Sequence, residues 1–167
     1  ILGAQNVNIS SNIFSNSGPT GQCITVSQYS QNIVFHNNTM TDAKSGVYAA
    51  YSSNVKILSN TIQRMDGEGI VFEKVDYGET SSNILEHCHF GGVRFETRWG
   101  SSHHHTLTNN TFTQYGFIFS NNPKQFGIEN LTIDTSNKIN GRSIRYYEKQ
   151  TGLLLNDPDV GQLILNG

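Results

Sequence analysis

Residues Asn54 to Phe72, NVKILSNTIQRMDGEGIVF, decide the fold, because their pattern returns about every 23 residues along the chain. Val55 and Ile57 alternate with polar neighbours as in a half-buried strand. Asn60 falls where the chain bends, Ile62 lies beyond the bend, and Gly69 precedes a second alternating pair, Ile70 and Phe72. Neither half buries its apolar face alone, so the unit reads as one coil of a β-solenoid.

The second half gives the register. Ile24-Thr-Val26, Val47-Tyr-Ala49, Ile70-Val-Phe72, Val93-Arg-Phe95, Phe117-Ile-Phe119 and Ile144-Arg-Tyr146 start 23, 23, 23, 24 and 27 residues apart. Gly46, Gly69, Gly92 and Gly116 directly precede four of them, as a turn with positive φ or a close backbone approach between coils requires. The first half repeats around asparagine: Asn12, Asn38, Asn60 and Asn137 each follow an alternating apolar pair, and Asn110 follows His105 and Leu107. Stacked asparagines hydrogen-bond from coil to coil and tolerate left-handed backbone, so they are expected as a buried ladder at one bend. In the fourth coil, NILEHCHF places Cys88 near the ladder position, and a local irregularity is expected there. The fold expected is all-β, a single-stranded right-handed parallel β-helix of about six coils, with handedness taken from the crossover rule.

Only 35% of the chain is hydrophobic and 14% charged, a balance that a disordered polar chain shares. Disorder does not, however, place Ile, Val and Phe at matching phases over six units. A net charge of −2 without a Lys/Arg cluster excludes nucleic acid as an expected partner, and no apolar run approaches a membrane span. Cys23 and Cys88 lie three coils apart, roughly 14 Å at the strand spacing, too far for a disulfide. Sequons at Asn8, Asn37, Asn109 and Asn130 suit a glycosylated extracellular or cell-surface protein, with the periplasm as the other compartment.

The chain from 1 to 167 is expected to be one β-helix domain, a fragment or repeat unit of a longer surface protein or filament. Ile1-Leu2-Gly3 and Ile164-Leu165-Asn166-Gly167 look equivalent in phase, which suits flanking coils or head-to-tail self-association. Residues 73–82, EKVDYGETSS, read as a charged insertion, and loops or turns are expected at 121–124 and 156–159. Residues 64 to 98 hold seven of the thirteen carboxylates and four of the eleven Lys/Arg residues, so polar chemistry centres on the middle coils.

The units NVNISSNIF (6–14), NIVFHNNTM (32–40) and NVKILSNTI (54–62), with their following G-[IV]-x-[FAV], resemble the right-handed parallel β-helix repeats of the NosD-like group. That group is also described as carbohydrate-binding and sugar-hydrolase domains. The run INGRSIRYYEKQTG…DVGQLILNG near the end is similar to a stretch in surface members, and the resemblance covers essentially the whole chain. It implies the fold directly. For function it implies a choice among lyases, epimerases, hydrolases, copper-delivery proteins and adhesive surface proteins.

Glu73 and Glu96 sit 23 apart and should stack on the outer face in neighbouring coils. Such a pair can share a proton or bind a cation, with Arg94 and Arg98 neutralising a uronate carboxylate and Tyr77, His87 or His89 as base. These four charged residues are the catalytic candidates for an enzyme acting on an acidic glycan; a solvated, salt-bridged patch is the alternative. His103-His104-His105 suggests a metal, yet alternation sends His105 inward and leaves the set short of ligands, so no metal or cofactor is expected. Trp99 and Tyr77 are the glycan-stacking candidates, with Tyr48, Tyr51, Tyr115, Tyr146 and Tyr147 along the flank, while Phe72, Phe95 and Phe119 should stack inside. The function expected first is a structural, filament-forming or glycan-contacting surface module.

Overall fold

The computed structural model describes residues 1–120, 127–149 and 158–166. They form a β-solenoid of about six turns, and nearly all strand pairs are parallel. Each turn contributes a short strand to up to three columns. The first column stacks Gln5–Ser10, Gln31–His36, residues 53–58, Glu79–Ser81, Ser102–Thr108 and Ile128–Ile133. The second follows the asparagine bend, from residues 13–15 through Thr61–Met65 and Ile84–Cys88 to Lys138–Ile139. The third stacks residues 22–26, residues 45–50, Glu68–Asp76, Gly91–Glu96 and Phe117–Ser120.

Alternation decides what each column buries. Ile24, Val47, Ile70, Val93 and Phe117 form one inward row, and Val26, Ala49, Phe72, Phe95 and Phe119 the next. The rings of Phe72, Phe95 and Phe119 stack at 5.6 Å per step. Each fully buried side chain of this size contributes about 1.5–3 kcal/mol by leaving water, so six short coils share one continuous core. Gly46, Gly69 and Gly92 are explained by close approach and not by left-handed backbone. A methyl group on Gly69 would meet Leu85 at 2.6 Å, and one on Gly92 would meet the Phe112 ring, so large side chains of the second column fill the space the glycines leave.

The asparagine ladder is unbroken through the described coils. In the series Asn12, Asn38, Asn60, Asn83, Asn110 and Asn137, each Oδ1 accepts from both the backbone N–H and the Nδ2 of the preceding rung, at 2.8–3.2 Å. Asn83 is therefore the fourth rung, and the irregularity expected around Cys88 is absent: Cys88 pairs with Met65 and turns into the core. Asn12, expected inside, is exposed as the first rung. Left-handed backbone falls one residue before the rung, at Ser11, Asn37, Ser59, Ser82 and Asn109.

Two further expectations are corrected. Residues 73–82 are not an insertion: Glu68–Asp76 runs on from the third column, and Glu79–Ser81 is the first-column strand of the fourth coil. Its inward positions are Gly78 and Thr80, neither apolar, and the room left by Gly78 is taken by the His105 imidazole of the next coil. Nor does Ile144-Arg-Tyr146 continue the third column. The chain reverses at Asn140-Gly141, both with positive φ, so that Arg142–Glu148 runs antiparallel to Lys138–Ile139 and then pairs in parallel with Val160–Asn166. Gln162 from that last strand bonds both the N–H and the carbonyl of Phe117 at 3.0 and 2.7 Å. Ile1 and Leu2 lie beside Thr25 and Ser27, whereas Ile164 and Leu165 pair with Tyr146 and Tyr147, so the two segments have different partners. The loop expected at 121–124 and Gly167 fall outside the described residues, as does part of the turn at 156–159.

Candidate functional site

The outer face of the third column carries the charged centre. Strand register aligns Thr25, Tyr48, Val71, Arg94 and Ile118 in one row, and Ala50, Glu73, Glu96 and Ser120 in the next. Glu73 and Glu96 are therefore direct neighbours, but they have separate partners. Arg94 donates through one amino nitrogen to Glu68 Oε1 at 2.7 Å, and through the other to Glu96 Oε2 at 2.6 Å and Ser120 Oγ at 3.0 Å. Glu73, 6% exposed, accepts from the Tyr48 hydroxyl. The backbone N–H of Arg98 donates to Glu96 Oε1 at 3.1 Å.

Electrostatics fix these groups in place. Burial disfavours the charge on Arg94, but Glu68 and Glu96 outweigh it and hold the guanidinium above its ordinary value. Burial, followed by the Glu73 carboxylate, pushes the Tyr48 hydroxyl above the ordinary phenol range. A groove of about 620 Å³ opens over these residues. Tyr48, Glu68, Glu73, Arg94 and Glu96 line it, as do Lys44, Asp66 and Arg98. Phe90 and Trp99, 66% and 61% exposed, come from the bends before and after the Gly91–Glu96 strand and form its rim.

All four catalytic candidates thus line one groove, together with Trp99. Tyr77, His87 and His89 do not: Tyr77 stacks on His104 with centroids 4.7 Å apart, His87 is exposed on the Ile84–Cys88 strand of the second column, and His89 is exposed beside Phe90 without lining the groove. Sequence reasoning missed Glu68 and Phe90 and did not anticipate that Tyr48 is the hydrogen-bond donor to Glu73. The signal for Tyr48 was available, since it shares the outward row of Arg94; Glu68 required knowing how far Arg94 reaches. The sequon residues Asn8, Asn37, Asn109 and Asn130 are all exposed.

The three consecutive histidines enter three environments. His103 Nδ1 lies 2.7 Å from Asp76 Oδ1, and His104 stacks on Tyr77. His105 is buried between Phe72 and Phe95, with Nε2 2.8 Å from the Val75 carbonyl oxygen. Burial lowers its pKa to about 4. Both cysteines are free, and Cys88, Met40 and Met65 are core residues.

No curated protein and no solved structure matches the chain significantly. A family model described as periplasmic copper-binding protein (NosD) matches residues 1–144. A resident copper ion does not fit the described residues: no three His, Cys, Asp or Glu side chains there are placed to hold one metal ion together, and the soft sulfur donors are in the core or half-buried. What the match covers is the run of stacked coils from Ile1 to the Asn140-Gly141 reversal and the first residues of the strand after it, and on that ground the chain belongs to the NosD family.

Proposed function

We propose that this β-helix protein of a periplasmic family is an exported scaffold module that binds a neutral, hydroxyl-rich glycan in the groove over its third column. The observation that carries the reading is the pairing of an aromatic rim, Phe90 and Trp99, with a floor of carboxylates in fixed orientation. Aromatic faces pack against the C–H faces of a sugar ring, and ionised carboxylates accept hydrogen bonds from its hydroxyls. Because the carboxylates are already held by Arg94 and Tyr48, little ordering remains to be done on binding.

A neutral ligand suits the groove better than a uronate. Asp66, Glu68, Glu73 and Glu96 face Lys44, Arg94 and Arg98, and Arg94 is committed to two carboxylates. Lyase chemistry also wants a base near neutrality, whereas the Tyr48 hydroxyl is shifted the other way. Trp99 is the chain's one tryptophan, so its fluorescence reports the groove without a label. Neutral oligosaccharides should shift that emission in a saturable manner, and Phe90→Ala should weaken the response. A signal absent across a neutral panel and present only with uronate oligosaccharides, with unsaturated products that Glu73→Gln abolishes, would replace this reading with the enzymatic one.

A further inference from the structure

A second aromatic cleft lies on the bend that leads from the third column to the first column of the next coil. Tyr29, Tyr51 and Lys74 occupy equivalent positions there in three successive coils, each with left-handed backbone, φ 62°, 49° and 51°. Tyr29 is 75% exposed, and the Lys74 ammonium lies 5.4 Å from the centre of the Tyr51 ring. Between them is a cleft of about 180 Å³ that Gln31, Ser53 and Asp76 also line.

Polar side chains continue this surface along the solenoid axis. Asn32 donates to Asn6 at 2.9 Å and Asn54 to Asn32 at 2.6 Å, an exposed amide row separate from the buried ladder. The row passes into the parallel Tyr77–His104 pair beside Asp76. The cleft also adjoins the groove, because the Tyr51 hydroxyl interacts with the Glu73 carboxylate on the groove's floor and Lys74 follows Glu73 in the chain.

We propose that this cleft is a second glycan subsite, and that one oligosaccharide spans from the groove, past Tyr51, to Tyr29. Tyrosine rings supply the stacking faces there, and Gln31, Ser53, Lys74 and Asp76 supply paired donors and acceptors for sugar hydroxyls. Gln31, Ser53, Lys74 and Asp76 set polar groups beside the tyrosine rings of this cleft, the combination that a sugar ring and its hydroxyls require. The inference rests on the glycan reading of the groove, and its ligand is an oligosaccharide chain.

The test is calorimetric titration of the folded protein with neutral gluco-, xylo-, manno- and chito-oligosaccharides, from disaccharide to octasaccharide. Affinity should rise with chain length. Tyr29→Ala, at an exposed position, should leave the melting temperature unchanged and weaken the longer oligosaccharides about tenfold, leaving the disaccharide and its Trp99 emission shift as in wild type. Longer chains that bind Tyr29→Ala as tightly as wild type would overturn the second subsite and leave the groove intact. An equal loss for disaccharide and octasaccharide would overturn the two-subsite arrangement. No binding of any oligosaccharide by wild type overturns the groove reading, and this inference with it.

Discussion

Acid should loosen this solenoid from inside, through His105. The imidazole is buried between Phe72 and Phe95, and it occupies the space that Gly78 leaves open in the adjacent coil. Burial is the largest influence and favours the neutral ring; the Val75 carbonyl and Asp76 pull the other way, and His103 and His104 add to the depression. With a folded pKa of about 4 against 6.5 for the free side chain, the unfolded chain binds the extra proton between those values. Stability is then full above pH 6.5 and falls as pH drops toward 4. At about 1.4 kcal/mol per pH unit per proton, lowering the pH from about 7.5 to about 5 should remove about 2 kcal/mol. Urea unfolding followed by circular dichroism measures this directly, with His105→Leu as comparison, since the stacked position in the next coil is Leu131. The variant should lack that part of the pH dependence while its denaturant slope stays unchanged. Parallel pH profiles for the two proteins would refute a neutral, buried His105.

Asn60→Ala removes the acceptor for the Asn38 backbone N–H and amide, so thermal melts should show a loss of about 1–3 kcal/mol for each buried group left unpaired. Gly78→Ala drives a methyl group into the His105 ring and should destabilise by about 1–3 kcal/mol in the same melts, a loss that the double variant with His105→Ala partly reverses. Burial pushes the Cys88 thiol up to about 12, so a thiol reagent at about pH 8 should modify Cys88 only when denaturant is added, with peptide mapping to separate it from half-buried Cys23.

The fold was legible wherever inward positions kept apolar side chains. Five asparagines and the five strand starts from Ile24 to Phe117 were enough to define the stacking. The fourth coil hid its first strand because Gly78 and Thr80 stand where the first three coils keep Val7, Ile33 and Val55, and Ile9, Phe35 and Ile57; the His105 ring, in contact across the stack but a full coil later in sequence, fills the room that Gly78 leaves. Alternation within residues 76–81 therefore carried no signal. The reversal after Ile139 is a different case. Asn140-Gly141 is the dipeptide that a two-residue hairpin with two left-handed residues favours, and the apparent continuation of the repeat at Ile144 outweighed it in the reading.

For the groove, sequence supplied the rows but not the pairings. An offset of 23 places Glu73 over Glu96 whatever their side chains do, and like charges opposite one another in neighbouring strands are destabilising. On this open face a threonine or serine would stack without that penalty, as Ser120 does in the next coil. Here the penalty is offset by groups brought in from other positions: Arg94 takes Glu96 together with Glu68, and Tyr48 takes Glu73. Each acid is thus satisfied by hydrogen bonding, and its remaining acceptor capacity faces a cavity with two exposed aromatic rings at its edge. This face of the coil sets like charges over one another in neighbouring strands while leaving the backbone register undisturbed, and the cost in local propensity is met by partners from outside the row.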